Sequence, residues 1–408
     1  MSLLRALAEA RALRPLDDAL ARTLRRLDPG TPDAVLAAAA LASLAVAQGH
    51  AALDPAAPGQ LVEGGFDWPD PHAWREQLAA SRFVASPSSC EEEAAAAPLA
   101  LEHGLLYLRR YREYERRLAL RLRALAAQRL DGDIAPLAPL FASLFPQARA
   151  GDRQARAAAL ALRRALLLVT GGPGTGKTTT IARLLALRVA QALHAGHAAP
   201  RIALAAPTGR AAERMADSLR RAVAQMAGLG VDPALLAALP GNASTLHRLL
   251  GPIPDVPRFH HHADHPLPYD IVVVDEASMV DLPLMCKLAE AVADGAQLML
   301  LGDAAQLPSV EAGDVLAAIL GAAGTGDALA DDDACALQPL LGDPPPDAAA
   351  DPAAGAGGLR GHRVHLRRGW RQHAALDLAP LAQAVRAGDA ELALQLLRGG
   401  TLSNVQFD

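Results

Sequence analysis

The sequence predicts an α/β fold built on a parallel sheet and preceded by a helical region. Three observations carry that expectation. Short apolar runs recur at residues 166–169, 202–206, 271–274 and 298–301, with helical segments between them, as in successive βαβ units. Each run is followed at once by a polar signature, and in open parallel sheets the chemistry collects beyond the C-terminal strand ends. The first run leads into Gly171-Gly172-Pro173-Gly174-Thr175-Gly176-Lys177-Thr178-Thr179, the pattern G-x-x-x-x-G-K-T, and then into a helix beginning near Thr178.

Composition bounds what the rest can be. A chain of 408 residues suggests two or three domains. Hydrophobic residues make up 51% and aromatics only 3%, so the cores rely on Leu, Val and Ala. With 39 basic and 44 acidic residues the net charge is −5, which excludes a polycation; any DNA contact has to come from local patches or backbone amides. Cys90, Cys286 and Cys335 lie far apart, without zinc or iron–sulfur spacing, which fits a reducing cytoplasm. The N-terminus has no signal-type apolar core. No apolar run is long enough to span a bilayer, the Ala-rich stretch 34–47 included, so no membrane role is expected.

Residues 1 to about 125 read as mostly helical. Leu16, Leu20, Leu24 and Leu27 fall at helical spacing among Arg22, Arg25 and Arg26. Pro29-Gly30-Thr31-Pro32-Asp33 ends that helix and starts the next, over 34–47. Residues 52–100 are rich in Pro, Gly and Ser and read as irregular. A strongly charged helix then begins at Tyr107, with Tyr107, Tyr111 and Tyr114 expected on one face, which either packs on the domain or meets a partner or DNA. Residues 321–360, with Asp331-Asp332-Asp333 and Pro344-Pro345-Pro346, read as a flexible low-complexity insertion without the scaffold a metal site needs.

The polar signatures carry the chemistry. In G-x-x-x-x-G-K-T the glycines let backbone N–H groups turn inward around a phosphate chain, and the helix start adds a positive end. Lys177 is placed for the β- and γ-phosphates of ATP, and the Thr178 hydroxyl for Mg²⁺. The run 271–274 ends in Asp275-Glu276: Asp275 to hold Mg²⁺ through its water shell, Glu276 to orient and deprotonate an attacking water. After the run 298–301, Gln306 is placed to sense the γ-phosphate, since an amide both donates and accepts. Pro207-Thr208-Gly209-Arg210, at a loop-to-helix junction, suits the phosphates of a nucleic-acid strand.

Together these segments resemble superfamily 1 helicases, and within them the RecD family, the alpha subunit of exodeoxyribonuclease V. The most specific stretch is Arg258-Phe259-His260-His261-His262-Ala263-Asp264-His265-Pro266-Leu267-Pro268-Tyr269-Asp270, which the resemblance makes a structural connection rather than a metal site; Leu13-Arg14-Pro15-Leu16-Asp17 and residues 107–115 are similar to the family's N-terminal domain. The resemblance implies that Gln154 reads adenine, that Thr245 and His247 line the single-strand DNA path with residues 208–211, and that Arg371 is an arginine finger. At the last position this chain has Gly369-Trp370-Arg371 where the family has a Ser-Tyr-Arg-like run.

The implied architecture is a RecA-like P-loop NTPase with a helical N-terminal domain and an incomplete second RecA-like domain. Its expected parts are residues 1–125, a partner-docking domain; 126–320, the first RecA-like ATPase domain; 321–360, the insertion; and 361–408, the start of a second motor domain whose later motifs are missing. The implied activity is ATP-dependent 5′→3′ DNA translocation and unwinding, with Mg²⁺, on single- and double-stranded DNA ends. RecB-like and RecC-like subunits would complete a helicase–nuclease. A stand-alone helicase and a non-unwinding interaction module remain open as alternatives.

Overall fold

A computed structural model describes residues 2–86, 97–146, 148, 152–172, 174–303, 306, 313–327, 329–342, 358–366, 379–386 and 388–399. The chain divides into two compact units. One comprises Met1–Leu122, Met279–Glu290 and Pro308–Val315; the other comprises Arg123–Ser278, Ala291–Leu307 and Leu316–Asp408.

The first unit is built around one helix. α1 (Leu3–Glu9), α2 (Pro15–Leu27), α3 (Asp33–Ala47) and α4 (Pro71–Ala79) precede a small sheet. α3 is apolar all round and buried from Val35 to Ala45, the pattern of a central core helix. Trp74 of α4 is wholly buried against it and donates from Nε1 to the Ala34 carbonyl at 2.9 Å. Before α2, the Arg14 guanidinium donates to Asp17 and, at 3.2 Å, to the Ser43 carbonyl on α3. Asp17 is fully buried, and against the upward push of burial the hydrogen bonds it accepts from Arg14 and the Ser43 side chain hold its carboxyl below the usual range.

The small sheet joins β1 (Val84–Ala85), β2 (Leu99–Glu102) and β3 (Leu105–Leu108). β2 and β3 form a hairpin over His103 and Gly104, whose φ values of 51° and 80° suit a type I′ turn. The charged helix α5 (Arg109–Ala127) follows. Here the tyrosine expectation fails. Tyr107 lies on β3, buried, where burial and Glu115 push its hydroxyl up to about 12. Only Tyr111 and Tyr114 share the helix, in edge-on contact at 6.4 Å. The strand wins because residue 107 pairs with Ala100 across the hairpin, a cross-strand contact that helical spacing cannot register. The segment 52–100 likewise contains α4 and two strands rather than irregular chain alone.

The second unit is a parallel sheet covered by helices. Its helices are α6 (Ala138–Leu144), α7 (Arg153–Ala161), α8 (Lys177–His194), α9 (Gly209–Gly228), α10 (Pro233–Ala237) and α11 (Leu246–Leu250). Its strands are β4 (Leu166–Gly171), β5 (Ile202–Ala206), β6 (Ser244–Thr245), β7 (Ile271–Val274), β8 (Gln297–Gly302) and β9 (Arg363–Leu366), in the order β6-β5-β7-β8-β4-β9, every neighbouring pair parallel. β4, β7 and β8 are buried along their whole length, which explains why they read as unbroken apolar runs. The His-rich stretch forms a tight turn before β7, with His261 and His265 stacked at 4.9 Å.

α12 (Leu282–Ala291) lies, all but its last residue, in the first unit; residues 315–399 then carry α13 (Val315–Ala323), α14 (Asp331–Ala336), α15 (Gln338–Leu341), α16 (Ala379–Arg386) and α17 (Ala390–Arg398). Two expectations change here. Within the supposed flexible insertion, 329–342 carries two short helices, and Asp333 is fully buried in an ion-pair cluster with Arg129, Arg163 and Arg164. The Asp-run is an anchor because three arginines far away in sequence converge on it. Residues 363–366, expected to open a second motor domain, instead form β9 on the edge of the first sheet, paired with β4.

Candidate functional site

Three neighbouring strands deliver the site. β7, β8 and β4 lie side by side, so their C-terminal ends fall within about 10 Å of one another. β4 ends at Gly171, whose missing side chain is required: a Cβ there would sit 2.7 Å from both the Leu366 carbonyl and Thr175 Oγ1. Gly174 and Gly176 take φ of 78° and 81°, the left-handed region that glycine enters without strain. The loop is tied by Thr175 Oγ1 donating to the Gly172 carbonyl at 2.9 Å. Lys177, the first residue of α8, donates from Nζ to the Gly171 carbonyl at 2.5 Å and the Gly172 carbonyl at 3.3 Å. Gln154 on α7 donates to the Thr175 carbonyl at 2.9 Å, which fixes its amide against the loop. Asp152 caps that helix by accepting from the amides of Gln154 and Ala155.

The acid pair leaves β7. The Asp275 amide donates to the Ala205 carbonyl of β5 at 2.9 Å, and the Glu276 amide donates to Asp275 Oδ1 at 2.9 Å. Glu276 takes φ +53°, a left-handed conformation that costs a non-glycine residue about 1–2 kcal/mol. Burial pushes the Asp275 carboxyl up; the Glu276 amide and the charges of Lys177 and Arg214 pull it the other way. Beyond β8, the Gln306 amide donates to the Asp303 carbonyl at 3.1 Å.

One cavity of about 750 Å³ collects Gln154, Gly172, Gly174, Thr175, Gly176, Lys177, Thr178, Thr179, Asp275, Glu276 and Gln306. That size suits a nucleotide-sized ligand. Thr178 and Asp275 give this cavity two hard oxygen donors, a set that fits Mg²⁺. Pro173 and Arg371 lie outside the described residues. Among the described residues no group of three or more His, Cys, Asp or Glu side chains is arranged to hold a metal ion.

Pro207, Thr208, Gly209, Arg210, Thr245 and His247 do not line that cavity. They gather at the ends of β5 and β6, where Ala206 pairs with Thr245. Thr208 accepts from the Ala211 amide and Thr245 from the Arg248 amide, both at 3.2 Å, so each caps a helix. His247 is exposed, with its ring 5.7 Å from that of Phe259. The sequence reading missed Arg183, Arg214, Ser218 and Arg221, which also line the cavity. The available signal was the helical spacing of Ala211, Arg214, Ser218 and Arg221 beyond the Thr208 junction.

A parallel sheet that brings a G-x-x-x-x-G-K-T loop and an Asp-Glu pair to one cavity defines a P-loop nucleotide-binding domain, and the family model "AAA domain" matches residues 154–312. The model "RecBCD enzyme subunit RecD, N-terminal domain" matches residues 9–107. The chain is 44% identical to the RecBCD enzyme subunit RecD of Mycolicibacterium smegmatis over 319 residues, 78% of this chain and 54% of that one. Its identity to the RecD subunit of Mycobacterium tuberculosis is 39% over 399 residues, 98% of this chain and 60% of that one. The ATP-dependent RecD2 DNA helicase of Deinococcus radiodurans is 40% identical over 160 residues, 39% of this chain and 18% of that one. The chain thus carries matches to a RecD N-terminal domain and an AAA domain, and is similar to RecD subunits over most of its length. It spans between half and two thirds of the length of the two RecD relatives.

Proposed function

We propose that this chain is the ATP-hydrolysing part of a 5′→3′ DNA helicase subunit, working with RecB-like and RecC-like partners in a helicase–nuclease that processes double-strand DNA ends. The observation that carries this reading is the convergence of Gln154, loop residues Gly172 and Gly174 to Thr178, Asp275, Glu276 and Gln306 on one cavity at the C-terminal edge of the sheet. Loop amides and the Lys177 ammonium hold the β- and γ-phosphates of ATP, and Gln154 meets the adenine. Glu276 orients a water in line with the γ-phosphate and accepts its proton as the bond to the β–γ bridging oxygen breaks. Mg²⁺, held through Thr178 and Asp275, would neutralise charge on the phosphates. Gln306 reads whether the γ-phosphate is present. Arg371 acts as the arginine finger from the second motor domain. DNA phosphates run across the helix starts at Thr208 and Thr245, with Pro207, Gly209, Arg210 and His247 along the path.

Between the RecD-complex reading and a stand-alone helicase, the family match over residues 9–107 favours the complex. ATP turnover with and without single-stranded DNA tests the assignment. Lys177→Ala and Glu276→Gln should each lower the DNA-stimulated rate by at least about 100-fold. Unchanged turnover in either variant refutes it, and failure to co-purify with RecB-like and RecC-like chains refutes the complex.

A further inference from the structure

The cavity has a second wall that the loop-and-acid reading leaves without a task. Ala211, Arg214, Met215, Ser218, Arg221 and Gln225 all line it, and their spacing makes a single stripe along α9. The two arginines of this stripe differ from Arg220 on the same helix. Arg220 is ion-paired with Asp217 and lies off the cavity. Arg214 donates from Nε only to the Arg210 carbonyl at 3.4 Å, and among the described residues no carboxylate lies within ion-pair distance of it. An arginine facing an anion-binding loop without a carboxylate partner has all but one of its guanidinium donors available to a ligand.

The register of the sheet places Arg214 at the reacting end of that cavity. β5 and β7 are adjacent, and the Asp275 amide is bonded to the Ala205 carbonyl, so the acid pair sits beside the end of β5. α9 starts at Gly209, so Arg214 is five residues, or about 8 Å, along its axis. A long side chain from there reaches back toward the strand ends, since helical side chains tilt toward the N-terminus. The Asp275 carboxylate accordingly feels the positive charge of Arg214 together with that of Lys177.

We propose that Arg214 is a nucleotide-binding arginine supplied in cis, contacting the terminal phosphate of a nucleoside triphosphate across from Lys177. This rests on the nucleotide-site reading and adds to Gln306 a second group that distinguishes a triphosphate from a diphosphate. A planar guanidinium suits that task, because it can bond two oxygens of one phosphate at once.

Calorimetric binding of ATPγS and of ADP, each with Mg²⁺, to the full chain tests the proposal in wild type, Arg214→Ala, Arg214→Lys and Arg220→Ala. Arg214→Ala should weaken ATPγS binding by about tenfold while leaving ADP within about twofold. Arg214→Lys should recover part of the loss, and Arg220→Ala should match wild type. Equal losses for both nucleotides, or no loss, overturn the role of Arg214 while the nucleotide site stands. A wild-type chain that binds neither nucleotide overturns the site itself.

Discussion

Replacing Asp333 tests whether its arginine cluster holds the edge of the six-stranded sheet. Its carboxylate is fully buried and accepts from Arg164 Nε at 2.7 Å, from Arg164 Nη2, from Arg129 Nη1 at 3.1 Å and from Arg163 Nε at 3.3 Å. The three arginines are not equally dependent on it. The side chains of Arg129 and Arg163 are 36% and 29% exposed, so water replaces the lost partner and each contributes no more than about 1 kcal/mol. Arg164 is 6% exposed and would be left as a buried charge, a loss that elsewhere costs about 3–5 kcal/mol. Asp332 lies 3.8 Å from Arg164 and is half-exposed, so it can swing inward and recover part of this. The expected cost of Asp333→Ala is therefore about 3 kcal/mol, or roughly 10 °C in melting temperature for a unit of this size. Urea unfolding measures it, and hydrogen exchange should localise it to the Leu168 amide, which donates to the His362 carbonyl at 2.8 Å where β9 meets β4. Asp333→Leu combined with Arg164→Met should recover most of the loss, since no charge is then stranded. A cost under about 1 kcal/mol for Asp333→Ala would refute the reasoning.

His362 offers a pH test of the same region: burial and the nearby Arg164 lower its imidazole to about 4, and its Nδ1 lies 2.9 Å from the Leu166 carbonyl. The folded form thus binds fewer protons than the unfolded one between pH 6.5 and about 4, so stability should fall by about 3 kcal/mol as pH drops through that window, and His362→Gln should remove this slope in urea titrations. At Glu276 the left-handed φ predicts that Glu276→Gly raises stability by about 1 kcal/mol, measured by thermal melting; a drop would refute the strain.

How much could be read from the sequence varied with the range of the interactions involved. β4, β5, β7 and β8 were legible because strands buried on both faces are continuous apolar runs, and their observed spans differ from the expected ones by two residues at most. The phosphate loop was legible because its constraints are local: glycines at left-handed positions, a lysine and a threonine at the helix start. Tyr107 was misplaced because its strand exists only through pairing with Ala100, and β9 because its partner β4 lies almost 200 residues earlier. Asp333 looked like solvated low-complexity chain until three distant arginines were brought onto it.

The sequence by itself determined that this chain has a P-loop α/β domain with an Asp-Glu pair, because backbone conformation and strand burial leave marks at fixed short spacing. The tertiary structure alone decided strand order, and with it which side chains share a cavity. Placing β8 between β7 and β4 brings Glu276, Gln306 and Lys177 together, and placing β5 beside β7 carries Arg214 to the same cavity. Strand order depends on pairings between segments far apart in the chain, and no local pattern of residues encodes them.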